Sequence, residues 1–366
     1  MHSSDPQAAI IILNWNGWAD TVECLESVEK ISYDNKFIVL VDNGSRDESL
    51  GRIKEWIQNH PVQSLSETSY LYKNEKTTVF KYTLAEPGRF TVHLMCSKQN
   101  TGFTGGNNLG ISYALEQSAD YLWLLNNDTI CDTEALNSLV ELAESSQDIG
   151  IVGSRVMYYH QPEIIQSLGG TDSISWRSSG RHIGRNMHIK DCTDDNFAIE
   201  GYVYGASLLI KKQVINEIGV LDDSYFVWNE ESDWCLRARR RGWKLMYCAK
   251  SEVWHKEGGS SGQGHIRTFL GRESCRVSLS RFVITGYYDI RNHLYFCRKH
   301  YKDKYVLLVI LILFEIIRKT AGICIYDSYK GMRIKLLLKG FSDGLAGNMG
   351  KRIDPLSYAK LKDFKK

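Results

Sequence analysis

Apolar runs and amphipathic stretches alternate along the chain from its first residues. Residues 8–13 (AAIIIL) are continuously apolar, as in a strand covered on both faces. Asn14-Trp15-Asn16-Gly17 ends that run, and Val22, Leu25 and Val28 follow at helical spacing. Residues 37–41 (FIVLV) repeat the strand pattern and stop at Asp42-Asn43-Gly44. Ser45-Arg46-Asp47-Glu48 reads as a capping box, and Leu50, Ile53 and Ile57 supply the stripe of the helix it opens. This order predicts an α/β chain with a doubly wound, mostly parallel sheet and flanking helices.

Residues 61–94 break the rhythm. Two alternating stretches, TTVFKYTL and RFTVHLM, flank Glu86-Pro87-Gly88-Arg89 and predict an inserted β-hairpin leading into the next strand. The Gly/Asn-rich stretch 102–110 is expected to precede a short helix. Residues 121–125 (YLWLL) predict a strand ending in Asn126-Asn127-Asp128, with Asp132 capping a helix that reaches Leu142. Residues 149–157, 202–210 and 245–254 are strand-like, and 229–241 reads as a helix stopped by Gly242. From residue 286 onward the pattern is helical, which places a domain boundary at 285 and a C-terminal helical region over 286–366.

Charge sharpens that boundary. The net charge is only +2, but residues 286–366 carry 17 Lys and Arg against 7 Asp and Glu, and residues 1–285 carry 28 against 36. A basic tail on an acidic body points to an anionic surface; no nucleic-acid recognition pattern precedes it, so nucleic acid is disfavoured. The longest apolar run, 305–314, extends past Glu315 only to 317 and is too short to span a bilayer. Two readings stand equally: a buried helix or homodimer contact, and a helix partly sunk in the cytoplasmic leaflet with Lys302, Lys304, Arg318 and Lys319 on anionic headgroups. The nine Cys include no CxxC pair, and the N-terminal apolar run lacks the form of an export signal. The expected location is cytoplasmic, peripheral on the inner face of the membrane, with reduced thiols. With 43% hydrophobic and 24% charged residues, a disordered chain and a polytopic membrane protein are excluded.

Three strands thus end in polar clusters: Asn14/Asn16, Asp42/Asn43 and Asn126/Asn127/Asp128. Ligands of open α/β sheets bind outside the carboxyl ends of strands. One such cluster alone is best explained as a turn; three at successive strand ends favour a shared crevice. Asn126 and Asp128 lie two positions apart, which lets two oxygens reach one hard cation such as Mg2+ beside a diphosphate. Glu230, Glu231 and Asp233 open a helix, where acids also favour the helix dipole. Asp233 and Arg237 at i,i+4 are expected to pair, leaving Glu230 and Glu231, desolvated near Trp228 and Trp234, as candidate general bases. His255 closes a strand before a Gly/Ser loop, where it suits a metal or phosphate contact. There is no GxGxxG after the first strand, no P-loop and no GxSxG, which argues against dinucleotide enzymes, P-loop enzymes and α/β-hydrolases.

The segments IIILNWNG, VDNGSRDES, NTGFTGGNNLGI, LWLLNNDT, GYVYGASLLIKK, IGVLDDSYFVWNEESDWCLRARRRGW and VWHKEGGSS, in this order over residues 8–261, resemble the family 2 inverting glycosyltransferases of the GT-A fold. The resemblance is strongest to bacterial rhamnosyltransferase-like members that build surface polysaccharides such as lipopolysaccharide. It implies a nucleotide-diphospho-sugar transferase fold and transfer of a hexose, rhamnose among the candidates, from a UDP- or dTDP-linked donor to a glycan or lipid-linked acceptor. By the same resemblance, Asp42 binds the donor base, and Asn14, Trp15 and Asn16 line the nucleoside pocket with Asn43. Asn100, Gly106 and Asn107 lie near the sugar nucleotide. Asn126-Asn127-Asp128 stands at the DXD motif, with Asp128 and His255 as ligands of Mg2+ or Mn2+. Gly205 and Ala206 lie beneath the acceptor, beside Trp228, and Glu231 is the base, with Glu230 and Asp233 in the same acidic motif. The sequence departs from the family in beginning its DXD with Asn126, in carrying Glu at the base position, and in the 61–94 insert. Two other classes compete. A nucleotidyltransferase would need a basic Gly-rich loop where Asn14-Trp15-Asn16-Gly17 stands, and a non-catalytic sugar-binding subunit would not need the acids at 128, 230, 231 and 233.

Overall fold

The computed structural model describes residues 5–85, 90–172, 180–192, 194–256, 265–269, 272–277, 284–326 and 330–354. The chain divides into two compact units. The first comprises residues 1–171, 181–221 and 234–260, and the second residues 172–180, 222–233 and 261–366. The division therefore differs from a single boundary at 285: the segment 222–233, which carries the candidate acids, belongs with the C-terminal helices.

The first unit is built on one twelve-stranded sheet. Its centre is β1 (Ala8–Asn14), paired in parallel with β2 (Lys36–Asp42). Three further hairpin-forming strands follow, β3 (Val62–Tyr72), β4 (Glu75–Leu84) and β5 (Phe90–Cys96), and β5 lies parallel to β2. β6 (Tyr121–Asn126) returns to the opposite side of β1, also parallel. The chain thus moves outward on one side of β1 and then crosses to the other, a topological switch point of the kind at which α/β sheets bind ligands. The short β7 (Thr129–Cys131) precedes β8 (Ile149–Tyr158), β9 (Gln161–Ser167), β10 (Phe197–Ala198), β11 (Ser207–Lys211) and β12 (Lys244–His255). β11 runs antiparallel between β6 and β8, and β12 lies parallel to β8.

Strand alternation explains why 8–13 is apolar throughout. Ala8, Ile10 and Ile12 face one core with Leu25 of α1 (Trp18–Val28), Ile53 of α2 (Ser49–Gln58) and Leu136 of α4 (Ala135–Glu144). Ala9 and Ile11 face the other with Ile111 of α3 (Gly102–Glu116), Val214 of α5 (Lys212–Ile218) and Trp234 of α6 (Glu230–Arg240). Both faces of the sheet are covered, so neither needs polar residues.

Four expectations are corrected. The Gly/Asn-rich stretch 102–110 does not precede the helix but forms most of α3. A Cβ at Gly106 would stand 2.4 Å from Leu13 Cδ1, and one at Gly110 2.8 Å from Ile11 Cγ2, so the glycines let the helix lie directly on β1. The capping box is not used: α2 starts at Ser49 without a side-chain cap. Residues 202–206 are not strand; β11 begins at Ser207. The hairpin of the insert is β3–β4, closed by Lys73 and Asn74 at φ 48° and 65°, the left-handed pair of a type I′ turn. The alternating stretches of the sequence are instead β4 and β5, antiparallel neighbours whose connection at 86–89 lies outside the described residues. β3 was hidden because it is an edge strand with mostly exposed positions and hence no apolar alternation to read.

The second unit packs α7 (Asp289–His300), α8 (Tyr305–Tyr326) and α9 (Lys330–Ala346) around Ile290, Leu294, Leu308, Ile312 and Leu337. A π-type turn over Ile284–Tyr288 leads into α7, and Tyr287 and Tyr288 pack with Phe226 and Leu336. It also contains a two-stranded sheet, β13 (His265–Phe269) with β14 (Arg272–Val277). No helix among the described residues is long and apolar enough to cross a membrane.

Candidate active site

The ends of β1 and β2 are joined by side chains. Asn14 lies opposite Asp42 in register, donates from Nδ2 to Asp42 Oδ1 at 2.8 Å and to Ser45 Oγ at 3.1 Å, and accepts from Thr21 Oγ1 at 2.9 Å. Asp42 is 3% exposed and its second oxygen accepts from the Ser45 amide at 3.2 Å. Asn16 adopts φ 52°, and its amide donates to Ser45 Oγ at 2.9 Å while its side chain accepts from the Arg46 amide at 2.8 Å. Ser45, read from sequence as a helix cap, therefore braces the two strand-end loops. Each carboxylate oxygen of Asp42 keeps a lone pair for a further donor. Trp15 is half-buried beside this cluster in sequence.

Asn43 latches β2 to the start of α3. It donates to the Gly102 carbonyl at 2.9 Å and to Asn100 Oδ1 at 3.3 Å, and accepts from the Thr101 amide at 3.0 Å. Asn107 turns back to the Phe103 carbonyl at 2.9 Å. Its neighbour Asn108, which sequence reasoning missed, bonds both the carbonyl and the amide of Leu221, at 2.8 and 3.0 Å. An Asn among Gly and Asn in a motif carries no signal that separates a structural amide from a ligand-facing one.

The end of β6 meets the end of β12. Asp128 Oδ1 and His255 Nε2 are 3.1 Å apart, with both side chains almost buried, and Asn126 Nδ2 is 3.5 Å from the same nitrogen. Gln166 Oε1 accepts from His255 Nδ1 at 2.9 Å. With Nδ1 carrying the proton, Nε2 presents a lone pair toward Asp128, the orientation a metal-ligating histidine needs. A carboxylate oxygen and an imidazole lone pair converging at this distance suit a divalent cation whose remaining ligands come from a diphosphate. Among the described residues no group of three or more His, Cys, Asp and Glu is placed to hold a metal ion. Gln166 had no sequence signal, because it lies in a strand far from every motif. Asn127 points elsewhere: its amide donates to Thr21 Oγ1 at 2.9 Å and ties the β6 end to α1. Lys256 continues the anchoring, bonding Asp20 and Glu23 of α1 while its amide donates to the Asp128 carbonyl at 3.0 Å. Gly205 is half-buried, and the carbonyl of buried Ala206 accepts from the Asn126 amide at 3.0 Å.

Glu230, Glu231 and Asp233 stand in the second unit, at the start of α6. Asp233 is fully buried; His300 Nε2 lies 2.6 Å and Lys299 Nζ 2.7 Å from its Oδ1, both from α7. The i,i+4 spacing did not foretell these partners. The expected partner, Arg237, donates to the carbonyls of Ile218 and Val220. The loop before Glu230 is wound unusually, with Phe226, Trp228 and Asn229 at φ 68°, 76° and 71°. Asn292 of α7 holds it by donating to the carbonyls of Tyr225, Val227 and Trp228 at 3.0, 2.7 and 2.7 Å. Trp228 is 38% exposed. Glu230 Oε2, Glu231 Oε2 and Asn229 Nδ2 are buried without a hydrogen-bond partner. Burial raises the pKa of Glu231 to about 6, and burial with the neighbouring Glu231 charge raises that of Glu230 well above the usual range. Buried carboxyl oxygens without a protein partner and with raised pKa make this acidic pair a candidate for proton transfer.

The profile of the family described as "Glycosyltransferase like family 2" matches residues 6–269. The low-salt glycan biosynthesis hexosyltransferase of Haloferax volcanii is 25% identical over 167 residues, 45% of this chain and 52% of that protein. The chain thus spans about half the length of that relative. The dTDP-rhamnosyl transferase of Shigella flexneri is 21% identical over 236 residues, 63% of this chain and 70% of that protein. Among solved structures, a mannosyltransferase from Pyrobaculum calidifontis in complex with GDP-Man and Mn2+ superposes with a TM-score of 0.51 at 12% identity, covering 93% of this chain and 87% of that one. This likeness establishes the GT-A fold.

Proposed function

The chain belongs to the glycosyltransferase 2-like family, and from that premise we propose that it is a metal-dependent inverting glycosyltransferase. The reading rests on one observation: Asp128 and His255 converge at 3.1 Å beside the switch point of the sheet, with His255 Nδ1 held by Gln166 Oε1. A divalent cation, Mg2+ or Mn2+, would be held there and would supply charge neutralisation for a departing diphosphate. Asp42 accepts the imide hydrogen of a uracil or thymine base, and Asn14 and Ser45 hold the carboxylate in place for it. Glu231 takes the proton of the acceptor hydroxyl as it attacks the anomeric carbon from the face opposite the leaving group, which inverts that centre. The names of the relatives support a hexose, with rhamnose among the candidates, and a cell-surface glycan as product.

Thermal unfolding with UDP, dTDP and their sugars, with and without Mg2+ or Mn2+, tests this. A ligand that binds only the folded chain raises its melting temperature. The expected result is a shift that needs both nucleotide and cation and is lost in Asp128→Asn and His255→Ala. A cation-independent shift retained in both variants would reject the cation site.

A further inference from the structure

Helix α8 is inverted relative to an ordinary surface helix. Leu308, Ile312, Ile316 and Ile323 pack inward with Ile290 and Leu294 of α7 and Leu337 of α9. Its acid is turned inward: Glu315 is buried, pairs at 2.5 Å with Arg318, whose side chain stays exposed at the edge of the outward arc, and lies 3.9 Å from half-buried Lys319, which reaches Asp289 at 2.9 Å. The outward side is apolar instead. Val306, Leu307, Ile310, Phe314, Ile317 and Ile325 are 45–74% exposed. At about 100° per residue these six fall within an arc of roughly 100°. A contiguous exposed apolar patch of this kind marks a surface that meets something.

The charge of the same C-terminal segment says what. Among the described residues of 301–354, eight Lys and Arg are exposed against one exposed acid, Asp303. A second copy of this face would bring those like charges together. An anionic bilayer surface satisfies both features, because acyl chains accept the apolar arc and headgroups attract the cations. Glu315, Arg318 and Lys319 interrupt the apolar run of the helix, and no helix among the described residues is long and apolar enough to cross a membrane; the orientation that fits such a surface is therefore in its plane.

We propose that α8 is an interfacial anchor whose outward arc sits in the headgroup–acyl boundary of an anionic membrane. The acid-bearing segment belongs to the same unit, since Asp233 is paired with His300 and Lys299 of α7, which packs on α8. The acceptor class this favours is a lipid-linked saccharide; that step alone rests on the transfer reading.

Co-flotation of the full chain with phosphatidylcholine vesicles, with and without phosphatidylglycerol, at low and high salt, tests the anchor. The chain should float with the anionic vesicles, and salt should weaken the binding. The double variant Phe314→Ser/Ile317→Ser should partition about tenfold less or worse, since each residue loses its burial in lipid. Its melting temperature and its nucleotide-dependent thermal shift should stay unchanged, which separates loss of the anchor from failure of the donor site. No flotation at low salt on anionic vesicles, or wild-type flotation of the double variant, would overturn the proposal. So would a wild-type dimer in sedimentation that the double variant abolishes, because the arc would then belong to a second copy.

Discussion

Replacing Glu231 by Gln should make the protein more stable and less active at once. The carboxyl is buried, and desolvation raises its pKa from 4.5 to about 6. An acid with a raised folded-state pKa binds its proton more tightly in the folded chain than in the unfolded one. Below pH 4.5 both states are protonated and the group contributes nothing. As pH rises through the interval up to about 6 the unfolded state sheds its proton first, so stability falls and stays lower above it. That rise corresponds to about 2 kcal/mol. Gln matches the shape and carries no charge, so the variant should recover that amount at pH 8 and match the parent near pH 4. Melting temperatures across this range should show a gain of a few degrees at pH 8 that vanishes in acid. Transfer should fall by about 10²–10⁴-fold, the usual worth of a general base. The parent's rate should climb as pH passes about 6 and then level, because only the ionised carboxylate accepts a proton. A Gln variant no more stable than the parent at pH 8, with turnover intact, would refute the argument. If Glu230→Gln shows both effects and Glu231→Gln neither, the base is Glu230.

Asp42→Ala should weaken UDP and dTDP alike by about 1.5–3 kcal/mol, the range for a charge-assisted hydrogen bond, and calorimetry showing unchanged affinity would reject its role. Gln166→Leu should release the His255 ring and raise the Mn2+ concentration needed for nucleotide-dependent stabilisation by about 10–100-fold, with unchanged Mn2+ dependence as the contrary result. Asn292→Ala removes an amide whose two hydrogens are shared among three carbonyls of the 225–228 loop. At about 0.5–1.5 kcal/mol for each of its two hydrogens, the loss should reduce stability by roughly 1–3 kcal/mol and cut kcat while nucleotide binding holds. A kcat within twofold of the parent would show that the loop is held by other means.

What the sequence disclosed and what it hid follow from one distinction. Ile10, Ile12, Ile38 and Leu40 announce buried strands because burial on both faces is written locally, in runs of apolar side chains. Asp42, Asp128 and His255 are legible as candidates because polar residues recur where such runs stop, and Glu231 because acids cluster at the start of a helix. The glycines of α3 misled in the opposite way: Gly is unfavourable in a helix interior, and only the approach to Leu13 and Ile11 of β1 explains Gly106 and Gly110. Partners supplied from afar left no trace. Gln166 is far in sequence from His255, and His300 and Lys299 lie beyond 60 positions from Asp233, in a region whose composition reads only as basic and helical.

That last pairing changes the meaning of the C-terminal region. From composition it looks like an appendage for attachment, yet its helix α7 supports the loop that presents the acids. Three non-glycine residues in the left-handed region, Phe226, Trp228 and Asn229, cost of order 1–3 kcal/mol each unless the surroundings impose them. Asn292 spreads its two amide hydrogens over three carbonyls of that loop, and buried Arg291 donates to the Tyr225 carbonyl at 2.8 Å. At about 1 kcal/mol for each donated hydrogen, these reach the lower end of the strain they offset. A loop so balanced holds its shape only while α7 is docked. Deletion of residues 286–366 should therefore do more than detach the protein from a surface. It should leave donor-dependent stabilisation of the first unit in place and abolish transfer to a water-soluble acceptor. Full transfer by the truncated chain would show that the acids need no support from α7.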